Sequence, residues 1–278
     1  MRKSLLRAAP FDLRMAPVGL FLPLAIAGFL LVMPIVGASF LWEAPTASLL
    51  AERWRAETGD FGLLPLFIGT IVCALIATAL SIVIGTLAAA HITTRAGPIE
   101  RRVGEASLAA MSALPSVVVG LIGFDILVPL FGFSAATAIP TLTLMILPTV
   151  ALLAIGALHK VLEDLREQAR ALGYDERQIK WRLAARAARG RLAGCGLLGL
   201  VRACGEATAV SMVAGNPPSG VWSGLGAPAR TVTSTILIEH GGATGAHEAA
   251  LFVAATGLAA FVILLTACGR ALLRGGRT

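Results

Sequence analysis

The sequence predicts an all-α integral membrane protein, a bundle of about six transmembrane helices, and three observations predict it. First, 56% of the 278 residues are hydrophobic and only 14% are charged, against about 25% charged in an ordinary soluble domain. Second, the charges are confined. Met15 to Leu41 carries none, Phe61 to Ala90 carries none, and between Glu105 and His159 the one formally charged residue is Asp125. About 20 apolar residues cross a bilayer core, so each run is long enough to span. Third, basic residues alternate between the connecting segments, as membrane topology requires.

The spans fall at roughly 15–41, 62–90, 106–131, 137–158, 192–215 and 249–269. The first is longer than the apolar core of about 7–15 residues in a cleaved signal peptide, and is expected to be retained. Ahead of it stand Arg2, Lys3, Arg7 and Arg14. The first loop has Arg53 and Arg55, the second Arg95, Arg101 and Arg102, and the third none. Loop 159–191 carries nine bases, segment 216–248 only Arg230, and the C-terminal end Arg270, Arg274 and Arg277. One set of sides therefore holds nineteen bases and the other three, which places both termini and the long loop in the cytoplasm. The same distribution accounts for the net charge of +7 without a nucleic-acid partner; the surrounding medium is lipid.

The expected organisation is a cytoplasmic N-terminal segment at 1–14, a first helix and external loop at 15–60, a main transmembrane domain at 61–273 and a cytoplasmic tail at 274–278. The external loop from Trp42 to Asp60 reads as a small surface helix or cap. Small residues such as Gly69-Thr70, Gly85-Thr86 and Gly199 suit close helix packing. Leu114-Pro115-Ser116 stands early in the third span, and Pro129, Pro140 and Pro148 follow. These prolines predict a broken region, which either shapes a transport path or merely kinks helices. In the external segment 216–248, Thr231 to Ile238 is too short to cross and reads as a short helix dipping toward the bundle. Cys73, Cys195, Cys204 and Cys268 lie in apolar stretches without metal-ligand spacing and read as packing residues.

Two groups of residues carry chemistry. In the cytoplasmic loop, Glu167-Gln168-Ala169-Arg170-Ala171-Leu172 favours a helix that Gly173 ends with a positive φ, and Asp175 can cap a second helix running to about Arg189. That second helix has Ile179 and Leu183 one turn apart among basic residues, so it either lies on the membrane or docks in a partner's groove. In the fifth span, Arg202 and Glu206 are four apart and can share a helix face and pair. They are either a buried ion pair that fixes packing or the lining of an oxyanion path, with the arginine fork suited to phosphate. Asp125 is likewise a path carboxylate or a solvated group near a helix end.

The loop resembles the EAA loop of ABC-importer permeases, whose pattern is Glu-Ala-Ala, three residues, Gly, nine residues, Ile-x-Leu-Pro. Glu167, Ala169 and Gly173 match, and Leu183 stands in place of the Ile; Ala185 and Arg186 depart from the usual Leu-Pro. The stretch from Arg202 to Asn216 is similar to the Arg-Ala-x-Gly-Glu-Thr-x-Ala-Val-x-x-Val-x-Gly-Asn run of phosphate permeases, with Ala207 where Thr is usual and Thr208 next to it. Leu114 to Gly120 and Ala229 to Thr233 also fit, and the run resembles the PstC-type subunit more than its PstA-type partner. The resemblance implies a type I importer bundle with a cytoplasmic coupling helix. It implies a phosphate path at Arg202, Glu206, Asp125 and Ser116, and ATPase contact through Glu167, Ala169, Gly173 and Leu183. Its implied partners are a second permease, two ATPase subunits and an external phosphate-binding protein. No Walker lysine motif occurs, so ATP is expected to be used by the partners, with no cofactor on this chain and no enzymatic activity of its own. The competing readings are a PstA-like subunit, a permease for another oxyanion, or a stand-alone secondary transporter or channel.

Overall fold

The computed structural model describes residues 51–175, 179, 187–218 and 223–274. The expected N-terminal segment 1–14, the first span 15–41 and Leu183 lie outside the described residues.

Of the external loop expected as a small surface helix or cap, the described part is a hairpin: β1 (Trp54–Arg55) pairs antiparallel with β2 (Asp60–Phe61), Trp54 opposite Phe61, around a 3-10 turn at Ala56–Thr58. Helix α1 (Leu64–Thr94) follows, with Pro65 in its first turn, where a missing amide costs nothing. Its 31 residues rise about 46 Å, longer than the roughly 30 Å hydrocarbon core.

The expected third span, 106–131, is not one straight helix. Helix α2 (Pro98–Ser112) meets the segment Ser116–Phe131 at 94°. The break falls at Ala113-Leu114-Pro115, where the proline ring disfavours helical backbone in the residue before it. Beyond it come α3 (Ser116–Ile122), a π-helical turn (Gly123–Leu127) and α4 (Val128–Phe131), which ends at Gly132 with φ +68°.

Helix α5 (Ala135–Ala171) corrects a second expectation. It runs unbroken through both Pro140 and Pro148. Between the two prolines α5 is tied to α1: the Ser81 hydroxyl of α1 donates to the Thr143 carbonyl at 3.2 Å, and the Thr143 hydroxyl lies 3.5 Å from the Ala77 carbonyl of α1. In membrane helices such surrounding contacts make interior prolines tolerable. The 37 residues of α5 rise about 55 Å, so the helix carries the chain well out of the membrane.

The expected fifth span, 192–215, also divides, into α6 (Arg189–Cys204) and a six-residue α7 (Thr208–Val213). Then come α8 (Val232–Glu239) and the long α9 (Ala246–Arg274). Among the described residues three helices are long and apolar enough to cross a membrane, or four if the bent pair is one span.

Small residues set the packing. A side chain on Gly199 of α6 would meet Val150 Cγ2 of α5 at 2.6 Å, and one on Gly196 would meet Ile82 Cδ1 of α1 at 2.5 Å. Helices α1, α5, α6 and α9 therefore form one tightly packed bundle. Its core includes Leu66, Leu142, Ile146, Val210, Val213 and Leu251, with Cys73 and Cys204 as small buried members. Cys268 is exposed, contrary to the packing role expected of all four cysteines.

Candidate functional site

The run from Arg202 to Asn216 folds as a helix, a break and a second short helix. Gly205 ends α6, and Glu206 lies in the break. The Ala209 amide donates to Glu206 Oε1 at 3.0 Å, so the carboxylate caps the amide end of α7, a placement that its charge favours. The Thr233 hydroxyl of α8 donates to the Glu206 carbonyl at 2.7 Å and pins the break from the other side. The expected Arg202–Glu206 pairing on one helix face is therefore not made. The four-residue spacing aligns two side chains only while the helix continues, and here it stops between them. Arg202 stands in the last turn of α6, exposed on the single chain and without an ion pair among the described residues. An ionised side chain at membrane depth normally faces a cavity or a partner rather than lipid.

The far end of α7 is equally specific. Gly215 has φ +87°, and Asn216 has φ +46°, the one non-glycine with positive φ among the described residues. Its amide Nδ2 donates to the Ser211 carbonyl at 2.9 Å, and its backbone amide donates to the Ala229 carbonyl at 3.2 Å. The Ala229 amide in turn donates to the Ala214 carbonyl at 2.8 Å. The Gly-Asn and Ala-Arg-Thr runs, well separated in sequence, thus meet as a short bridge.

The two proline- and glycine-marked runs also meet. A side chain on Gly120 of α3 would lie 2.9 Å from Ala209 Cα and 2.8 Å from Met212 Sδ, so α3 touches α7 backbone to backbone. Ser116 opens α3 and is half-buried. Asp125 is exposed within the π-helical turn, between Phe124 and Ile126, which are exposed as well. Of the four expected path residues, Ser116, Asp125 and Glu206 therefore stand on or beside elements that pack together, while Arg202 stands on α6 beyond the break.

At the base-rich end, α5 stops as the sequence predicts. Gly173 has φ +81°, the Tyr174 amide donates to the Ala169 carbonyl at 3.0 Å, and the Gly173 amide donates to the Arg170 carbonyl at 3.0 Å. These two bonds make a complete glycine-terminated cap. Ala169 is buried and Glu167 exposed. The Ile179 amide donates to the Asp175 carbonyl at 3.0 Å, and Ile179 is fully buried.

One cluster was not foreseen. On the side with few bases, Arg230 is 4% exposed and pairs with Glu239; its Nε donates to Thr235 Oγ1 at 3.0 Å and its Nη1 to the Pro217 carbonyl at 3.1 Å. The other carboxylate oxygen of Glu239 accepts from Trp54 Nε1 at 2.8 Å and faces His247 Nε2 at 2.9 Å. Trp54, Phe61 and His247 stack around it. This network stitches the hairpin, the 217–239 segment and the start of α9 together. The signal available in the sequence was Arg230, the one base in its segment.

Comparison with known proteins agrees with this architecture. The chain is 30% identical over 183 residues to the probable ABC transporter permease protein YqgH of Bacillus subtilis, a match that covers 62% of this chain and 59% of that protein, so it spans less than two thirds of that relative. It is 26% identical over 270 residues to the phosphate transport system permease protein PstC of Xylella fastidiosa, covering 84% and 82% of the two chains. The PstC protein of Mesorhizobium japonicum is 28% identical over 255 residues, covering 81% and 77%. In fold, the chain is similar to an inward-facing crystal form of the MetNI methionine ABC transporter, with a TM-score of 0.60 at 18% identity, covering 78% of this chain and 96% of that one. The family model described as the binding-protein-dependent transport system inner membrane component matches residues 81–275, more than half of the sequence. The chain belongs to that family of inner-membrane permease components.

Proposed function

We propose that this chain is a channel-forming subunit of an ATP-driven importer that passes inorganic phosphate across the cytoplasmic membrane, with both termini on the cytoplasmic side. The observation that carries the reading is the seam between α3 and α7, where the Pro-Ser run and the Gly-Glu run lie against each other around Gly120 and Ala209. Two runs that each resemble phosphate permeases, well separated in sequence, form a single structural unit. The relatives named for phosphate transport supply the substrate.

In this reading Arg202 supplies forked donors to the passing oxyanion, and Glu206 ties the break to α7. Ser116 and Asp125, on the segment that packs against α7, are the further path residues of this reading. The loop bearing Glu167, Ala169, Gly173 and Leu183 docks on an ATPase subunit. A second permease and an external phosphate-binding protein complete the assembly. The chain itself is non-catalytic and holds no cofactor, ATP being hydrolysed by its partners.

The test is reconstitution of the complete complex into proteoliposomes with ATP inside. Uptake of radiolabelled phosphate that requires both ATP and the binding protein is expected. Uptake without ATP would make the chain a stand-alone transporter, and uptake of sulfate in preference to phosphate would reassign the substrate.

A further inference from the structure

We infer that Asp164 and Arg191 form a clamp across the base of the cytoplasmic loop, and that this clamp positions the loop so that its displacement reaches Arg202. The inference rests on the reading of the chain as an ATP-driven permease. Asp164 lies near the end of α5 and Arg191 in the first turn of α6, the helices that lead into and out of the loop. Arg191 Nη2 lies 3.4 Å from Asp164 Oδ2.

Three observations make this more than a surface ion pair. Arg191 is only 7% exposed, so its guanidinium has left water. It also stands in the first turn of a helix, where the macrodipole repels a cation and a carboxylate is needed in compensation. Finally, the end of α5 is held less densely than the rest of the helix: from His159 to Ala171 Val161 and Ala169 are buried, with Leu162 and Leu165 partly buried against the core. Without a tie to α6, that end can bend under load.

Beyond the clamp, α6 is an uninterrupted helix of 16 residues, about 24 Å long. Gly196 and Gly199 seat it closely on α1 and α5. Such a rod passes a displacement at Arg191 to its far turn, where Arg202 sits, and onward to the break held by Glu206. Asp164 and Arg191 are thus positioning residues: they touch no substrate and act through α6.

The test uses the whole complex in proteoliposomes and reads ATP hydrolysis and phosphate uptake together. Asp164→Asn is expected to assemble at normal yield while uptake per ATP hydrolysed falls roughly tenfold, the size of a typical coupling effect. Asp164→Glu, which keeps the charge, should restore most of that ratio. A normal ratio in Asp164→Asn overturns the clamp. So does a fall in uptake and hydrolysis in strict proportion to lost assembly, because that is the mark of a merely structural pair. If the unmodified complex hydrolyses ATP on demand yet takes up no phosphate, the substrate reading fails. The clamp is then judged by whether Asp164→Asn frees hydrolysis from control by the binding protein.

Discussion

The two ends of the molecule are held in different ways. The end with few bases is stitched by buried bonds: Glu239 gathers Arg230, Trp54 and His247 from three segments, and the Val232 amide donates to the buried Thr70 hydroxyl at 2.9 Å. Gly69 lies so close to the Arg230 carbonyl that a methyl group there would collide with it. The base-rich end is tied by pairs that water can reach, His91 with Glu100 and Arg101 with Glu105, and only Arg191 among its described ion-pair partners is buried. Exposed pairs contribute little and exchange readily, whereas a buried network resists rearrangement. In the proposed orientation the end with few bases is the outer one, a fixed frame, and the base-rich end is the inner one, which yields to an ATP-driven partner.

The largest expected effect strikes the frame. Glu239→Ala leaves the buried Arg230 guanidinium without its counter-charge and should cost about 3–5 kcal/mol, read as a large drop in the unfolding midpoint of the purified protein. The matching change at the inner end, Glu105→Ala, removes one exposed i,i+4 pair and should cost only about 0.3–0.5 kcal/mol. Equal losses would erase the distinction between the two ends.

Next comes the seam. Gly120→Leu forces a side chain into Ala209 and Met212 and should cost about 1–3 kcal/mol through overpacking, with uptake lost. Unchanged stability and uptake would mean that α3 and α7 separate freely.

At the inner end, Gly173→Ala meets no neighbour within 4 Å, so its cost is backbone alone, about 1–2 kcal/mol for a left-handed alanine. Asn at the same position should cost less, because its side chain tolerates that conformation. A larger loss for Asn than for Ala would show that partner contacts, not the turn, decide this position.

The smallest effect concerns Arg202 and Glu206. Because the helix stops between them, Arg202→Gln and Glu206→Gln should add in stability to within about 0.5 kcal/mol. Arg202→Gln is nonetheless expected to assemble and lose phosphate uptake. A coupling well above that figure in the assembled complex would show that the two charges meet once the partners are present.

The sequence made the long helices legible, because an uncharged run is a direct statement of the bilayer's requirement. It also made Gly173 legible, since the end of a helix in a left-handed glycine is local chemistry. It misled where local chemistry yields to neighbours. Pro140 and Pro148 looked like breaks, yet α5 continues through both, packed along α1, where Ser81 bonds the Thr143 carbonyl. Arg202 to Asn216 looked like one span, yet Gly205 and the capping carboxylate of Glu206 divide it. Apolarity does not reveal this, since Thr208–Val213 carries no charge. The Arg230–Glu239 network was invisible because its members lie in three segments and only the fold brings them together.

The π-helical turn at Gly123–Leu127 has a consequence of another kind. An α-helix advances about 100° per residue, so a wider turn that accommodates one more residue rotates everything after it by that angle while leaving the axis nearly in place. The compass bearing of Leu130 and Phe131, both exposed, is therefore set by a count of residues rather than by their identity. Removing any one residue from the turn would swing that apolar face away from its present direction, an effect that substitution within α4 does not reproduce. In this stretch of the chain, an insertion or deletion is the mutation that redraws the surface.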